Sequence, residues 1–279
     1  MKRTCVLILA GYLLALPAVV RAQFTFATNS DSITITGYTG PGGAVTIPET
    51  INGLPVTGIG NDAFHFCSVT SVTIPNSVDR VGDSAFDTCN HLTNVTIGDG
   101  VTEIGWSAFY YCTNLSSVAI PASVTSIGGY AFGGCRRLAS VTIPSGVTNI
   151  GSWAFFSCTN LAIVCFQGDA PHLGSFAFNS DAKVTVYYLP GTAGWGATFG
   201  GRLAVLWNPQ AENPSVQANH FGFTITGTDG LIVVVEACAD LARSEWSAVQ
   251  TNTLTDGLAY FSDPQSAELP ARFYRLKLP

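Results

Sequence analysis

Charge is scarce in this chain. Of 279 residues, 12 are Lys or Arg and 18 are Asp or Glu. No basic stripe or run of like charge interrupts the sequence, and the acidic balance argues against nucleic acid or an anionic membrane surface as a partner. Long apolar runs are also missing beyond the N-terminus. With no later stretch of about 18 apolar residues, a membrane span in the mature chain is not expected. Catalytic signatures are absent as well. There is no Gly-x-Ser-x-Gly, no His-Glu-x-x-His and no phosphate-binding loop, so the usual hydrolase, metalloprotease and nucleotide-binding readings have nothing to rest on. The eight cysteines include no Cys-x-x-Cys, the close pairing from which structural zinc sites are built. No cofactor is implied, and an enzyme is not expected.

What the chain does have is a period. Cys89, Cys112, Cys135 and Cys158 follow one another at a spacing of 23 residues. Each opens Cys-x-x-Leu-x-x-Val, through Leu92, Leu115, Leu138 and Leu161. An apolar residue and usually a proline come next, as in Ile74-Pro75, Ile120-Pro121 and Ile143-Pro144. Then come Ile-Gly or Val-Gly and an Ala-Phe pair, which places a phenylalanine in every copy at 64, 86, 109, 132, 155 and 178. A repeat of this length cannot bury its own apolar face, so neighbouring copies must share one core, as in a solenoid. Val118 and Ile120 stand two apart, the spacing of strand residues that face the same way. Stacked copies therefore pair as parallel strands, each stopped by a proline that cannot donate to the ladder. The Ala-Phe stretch reads as a short helical or 3₁₀ turn.

These motifs, L-x-x-V-x-I-P and I-G-x-x-A-F, resemble those of the BspA-like class of bacterial leucine-rich repeats over about residues 45–190. The resemblance implies a leucine-rich-repeat solenoid in a secreted or surface protein that adheres or binds, with no catalytic motif attached.

The rest of the chain divides around the repeats. Residues 1–22 read as a secretory signal peptide, with Lys2 and Arg3 ahead of an apolar segment and cleavage near Ala22/Gln23. The mature chain would keep 9 basic against 18 acidic residues. Residues 23–44 alternate as a β-hairpin and are expected to cap the first repeat. The first repeat is irregular, with five residues inserted around Asn52-Gly53-Leu54-Pro55. In the sixth, Val184, Tyr187, Leu189 and Pro190 are expected at the Leu, Val, Ile and Pro positions, with Asp181 where Cys belongs. Residues 191–208 read as a C-terminal cap. Residues 209–219 are polar with a proline at each of 209 and 214, and read as a linker. Residues 220–279 lose the repeat and suggest a small β-sandwich of five or six strands. The fold class expected is mainly β.

Three sets of residues are candidates for function or structure. Cys67, Cys89, Cys112, Cys135 and Cys158 share one repeat phase and should stack in a column. They read as small buried hydrophobes, with a disulfide between adjacent rungs as the competing reading. The outward positions of the strands carry Ser71, Thr73, Asn94, Thr96, Ser117, Ser140 and Thr142, followed by Cys165 and Tyr188. This is either a flat docking surface for a protein or glycan, or small β-formers tiling an exposed sheet. An aromatic group, Trp106, Tyr110, Tyr130 and Trp153, with Tyr111 and Phe156 beside it, flanks the Ala-Phe positions. It reads as a second contact surface or as packing for the C-terminal domain. The function expected is binding or adhesion by an exported, non-enzymatic protein. The alternative is a structural or envelope-scaffold protein anchored or targeted by its C-terminal domain.

Overall fold

The structure is a computed structural model that describes residues 23–179, 183–243, 245–268 and 271–278. The signal peptide expected over 1–22 and the residue at 181 lie outside them.

Each rung of the solenoid has three sides. The front side is a strand whose Val and Ile point inward. The front strands run Gly43–Thr46, Val69–Thr73, Asn94–Thr96 and Ser117–Ala119 in one parallel sheet. Ser140–Ile143, Ile163–Phe166, Thr185–Tyr188 and Arg202–Leu206 continue in a second. Register follows the repeat, with Val72 opposite Val95 and Val95 opposite Val118. Beyond the proline the chain pairs with its copies again, in a further sheet along the solenoid. After Leu54–Ile59 the strands of this sheet are parallel and two residues long, among them Arg80–Val81, Glu103–Ile104, Ser126–Ile127 and Asn149–Ile150. They contribute the buried column Val81, Ile104, Ile127, Ile150.

The Ala-Phe stretch forms the third side. It is a string of i→i−3 turns that never becomes a helix, because every second amide reaches the next rung instead. Asp87 N–H donates to Ser84 O at 3.0 Å within the rung, while Phe86 N–H donates to Ala108 O at 2.7 Å in the following one. Backbone polar groups are thus satisfied between copies as well as within them. The phenylalanines stack into a continuous column, with ring centroids 4.7 Å apart from Phe64 to Phe86 and 5.7 Å from Phe155 to Phe178. All of them are buried.

The ends are closed. Phe24–Thr28 and Ile33–Tyr38 form an antiparallel hairpin, and the second strand pairs in parallel with Leu54–Ile59 of the first rung. Tyr38 and Phe24 lay their rings on Phe64 at 5.2 and 6.3 Å, which terminates the column. The five inserted residues make a small hairpin between Thr50–Ile51 and Leu54–Ile59. Its turn residues Asn52 and Gly53 have φ of 54° and 81°, the pair of positive values that a two-residue hairpin loop requires. At the far end Trp195 and Phe199 cover Phe166, 5.0 and 5.4 Å away.

Two expectations are corrected. Residues 209–219 are not a linker: Gln210–Gln217 is an edge strand, antiparallel to His220–Thr226. It is exposed along nearly its whole length, so it carries no apolar alternation to betray it. Pro214 sits at an irregularity in the pairing, where a missing donor is tolerated. The sixth rung is also displaced by one residue. Val186, not Tyr187, lies opposite Val164 and points inward, and Tyr187 lies opposite Cys165. A one-residue slip exchanges the two faces of a strand, so Tyr187 replaces Tyr188 on the outward face.

The C-terminal part is a sandwich of two three-stranded antiparallel sheets. One consists of Gln210–Gln217, His220–Thr226 and Leu258–Asp263; the other of Ser247–Thr253, Ile232–Cys238 and Phe273–Lys277. Pro264–Glu268 is the single 3₁₀ helix among the described residues. Buried carboxylates are paired. Asp263 meets Arg272 at 2.9 Å and accepts from the Tyr274 hydroxyl at 2.7 Å, while Glu236 meets both Lys277 and Arg275.

Candidate functional site

The outward face of the front strands begins as a ladder of small polar groups. Thr46 pairs with Thr73, and Thr73 with Thr96. Ala44, Ser71, Asn94 and Ser117 form the parallel row two residues back. Thr73, Asn94, Thr96, Ser117, Ser140 and Thr142 are exposed and Ser71 is half-buried. The inward neighbours Val72, Val95 and Val141 are buried, as the alternation of a strand demands. At the margin, Thr93 and Ser116 donate their hydroxyls to backbone carbonyls of the preceding rung at 3.0 and 3.1 Å, which holds the rows in place.

The ladder stops at the sixth front strand. Opposite Ser140 and Thr142 stand Ile163 and Cys165, and opposite Cys165 stands Tyr187. Cys165 and Tyr187 share one buried cluster with Phe223, Ile225, Val233 and Val235 of the sandwich, with Ile163 and Val205 packed against it. The sandwich thus uses the last front strands as its floor. Thr228 ties the junction by donating its hydroxyl to Leu206 O and to Asn208 Oδ1, both at 3.0 Å. Cys165, expected to face solvent, is buried, and burial pushes its thiol up to about 12.

The repeat cysteines lie just inside the turn side. Cys89, Cys112, Cys135 and Cys158 are buried, and each thiol donates to the carbonyl of a phenylalanine in the preceding rung, at 3.0 to 3.2 Å. Cys89, Cys112 and Cys135 are free thiols, together with Cys67, Cys165 and Cys238. Burial pushes the Cys89 thiol up to about 12 and those of Cys112 and Cys135 well above their ordinary value. Cys67, on the first turn, is half-buried, and burial raises its pKa too. Among the described residues no group of three or more His, Cys, Asp or Glu side chains is placed to hold a metal ion.

The aromatic residues are brought together on the turn side. Tyr130 lies at their centre, 5.9 Å from Trp106, 5.6 Å from Tyr110 and 5.8 Å from Trp153 between ring centroids. Tyr111 touches Tyr110 at 4.6 Å, and Phe156 touches Trp153 at 5.1 Å. Phe176 extends the row, 4.7 Å from Trp153. Sequence reasoning missed it, although its 23-residue spacing from Trp153 was the available signal. Of the two readings of these rings, packing against the C-terminal domain is not the one found. The sandwich core takes its solenoid contacts from the front sheet, while Trp106 and Phe176 stay 54% and 62% exposed.

Residues 57–187 match the model of the BspA type leucine rich repeat region, in 6 copies. A leucine-rich repeat protein of T. pallidum is 31% identical and superposes with a TM-score of 0.55, the match covering 61% of this chain and 85% of that one. This chain belongs to the BspA-type leucine-rich repeat family. A leucine rich cell surface protein from Faecalibacterium prausnitzii is 28% identical over 72% of this chain and 56% of its own, with a TM-score of 0.49. No curated protein matches the chain. The matched region ends at residue 187, so the sandwich strands from Gln210 onward lie outside it.

Proposed function

We propose that this is an exported, cell-surface or secreted binding protein without catalytic activity, and that its partner, a protein or a glycan, docks on the open part of the front sheet. The observation that carries this reading is the row of small side chains on the outward face, with Ser71, Thr73, Asn94, Thr96 and Ser117 in register on paired strands and Ser140 and Thr142 on the next front strand, all exposed but the half-buried Ser71. Equivalent residues on neighbouring strands stand about 4.8 Å apart, which makes a regular surface several rungs long. Short side chains let a partner approach the backbone closely and lose little rotamer entropy on contact. The ladder ends where the sandwich lies, so the surface has a fixed length and a wall at one end. Family membership and the surface location named for the F. prausnitzii relative support the exported reading.

The test is binding of the mature protein to arrayed extracellular proteins and glycans, with T96R and T142R as variants. Both positions are exposed, so the core is untouched. At least one ligand that the wild type retains should be lost by the double variant while the thermal midpoint stays put. Retention of every such ligand by the double variant overturns the front sheet as the docking surface.

A further inference from the structure

The aromatic side of the solenoid is built, residue against residue, in a way that packing of the core does not require. The third repeat reads Trp106-Ser-Ala-Phe-Tyr110-Tyr111, and the fourth has glycine at each of the three equivalent positions, 129, 133 and 134. The glycines are seats for the rings. A Cβ at Gly129 would lie 3.1 Å from Trp106 Cδ1, one at Gly133 3.0 Å from Tyr110 Cδ2, and one at Gly134 3.1 Å from Tyr111 Cδ2. A side chain at any of them would make its ring give way by a few tenths of an ångström. Trp106, resting on one glycine and 54% exposed, presents a ring surface to solvent.

The neighbouring positions add a second sign. Tyr130 and Trp153 have φ of 56° and 63° where the earlier rungs carry Ser84 and Ser107. A left-handed conformation is unfavourable for bulky side chains, by about 1–2 kcal/mol per residue. The backbone needs that conformation, since it turns Tyr130 N–H to Ser152 O and Trp153 N–H to Ser175 O, each at 3.0 Å. It does not need an aromatic side chain there.

We infer that this face is a binding site for a neutral glycan chain. Among the described residues of the turn side, the exposed large apolar side chains are all aromatic: Phe66, Trp106 and Phe176. Aliphatic residues, which a protein-binding patch would mix in, are missing. Ring faces are electron-rich and attract the slightly positive C–H faces of a pyranose. Hydroxyl partners stand beside them. Asp83 Oδ1 accepts from the Trp106 backbone N–H at 2.9 Å and pairs with Arg80 at 3.4 Å, so a carboxylate and a guanidinium, both partners for sugar hydroxyls, stand beside the ring. Asp87, beside Tyr110 in the adjoining rung, accepts from the Thr88 hydroxyl at 2.7 Å and faces His65 Nε2 at 3.5 Å, and Arg136 lies over the Tyr111 ring at 5.9 Å. Carboxylates and guanidiniums offset one another beside the rings, while the chain as a whole is acidic, so no charged polymer is favoured here and a neutral one is selected. The rings run from Trp106 through Tyr130 and Trp153 to Phe176 along the solenoid axis, the last three stacked on one another, so the exposed rings of this row are Trp106 at one end and Phe176 at the other, a spread that suits a linear chain rather than a single sugar.

Affinity electrophoresis of the mature protein through gels containing soluble β-glucan, xylan or galactomannan tests this, with polygalacturonate and heparin as anionic controls. Retardation is expected in at least one neutral gel, unchanged by salt and absent from both anionic gels. W106A and Y130A should each weaken it at least tenfold, W106F should restore most of it, and T96R on the front sheet should leave it intact. Far-UV circular dichroism confirms that each variant is folded; W106A alters an exposed side chain and keeps the test valid if Y130A does not fold. No retardation by any neutral glycan overturns the proposal, as does retention only by the anionic polymers. Retention that survives W106A, or that T96R abolishes, overturns it as well. So does a protein ligand that binds this face when none of the glycans does.

Discussion

Thr142 and Cys165 are direct partners on adjacent parallel strands and point the same way, yet one is exposed and the other buried. Beneath them the solenoid is unchanged: Val141 and Val164 point into one core, and Leu138 and Leu161 continue one column. The difference is all on the outside. Up to Thr142 the outward side chains are small and, apart from Ala44 and Ala119, polar; beyond it Ile163, Cys165, Tyr187 and Val205 lie in one cluster with the sandwich, which covers them. One repeat therefore serves two kinds of surface, because a strand's inward residues fix the solenoid and leave the alternate positions free.

The largest expected effect comes from treating the two regions alike. C165D would leave an unpaired charge beneath the sandwich and should destabilise the protein by about 3–5 kcal/mol. T142D, one strand away, should change stability by no more than about 0.5 kcal/mol. Denaturant unfolding of both reads the contrast; equal effects would mean the sandwich does not sit on this sheet. The inner core should show no such asymmetry. L138A and L161A remove equivalent buried side chains and should each cost about 2–5 kcal/mol, with the two values close to each other. A clear gap would show that the sandwich reaches through to the column.

A smaller effect separates the sandwich from the repeats by pH. Lys277 and Arg275 hold the Glu236 carboxyl below its ordinary value, against the opposing pull of burial. The folded pKa is lowered, so the stabilisation is present above the unfolded carboxylate pKa and is lost as pH falls through the folded one. Thermal unfolding followed at Trp246, which stacks under Arg275 at 4.4 Å, should therefore shift down on acidification, and E236Q should flatten that dependence. The smallest perturbation is chemical labelling of thiols. Cys67 should react first in the folded protein, and the buried Cys89, Cys112, Cys135, Cys158, Cys165 and Cys238 only after denaturation. Fast reaction of Cys112 or Cys135 in the native state would contradict their burial.

Much of this was legible in the residues. A period of 23 fixed the solenoid, since each Leu, Val, Ile and Phe recurs in one phase and must find its copy in the next rung. The small polar residues between Val and Ile marked the open face for the same reason. What remained hidden involves contacts without a period. The register of the seventh front strand, Thr185–Tyr188, hinges on one residue, and only the presence of the sandwich gives Tyr187 an apolar surface to occupy. Gln210–Gln217 looks like a linker because an edge strand exposed on both faces carries no alternation. The seating of Trp106, Tyr110 and Tyr111 on three glycines was written in two aligned repeats, but the chain alone does not say which way a ring lies. Repetition determines local geometry in this protein because every copy meets itself. Where the chain meets something unlike itself, at its ends and under the sandwich, only the folded arrangement decides which side chains are covered.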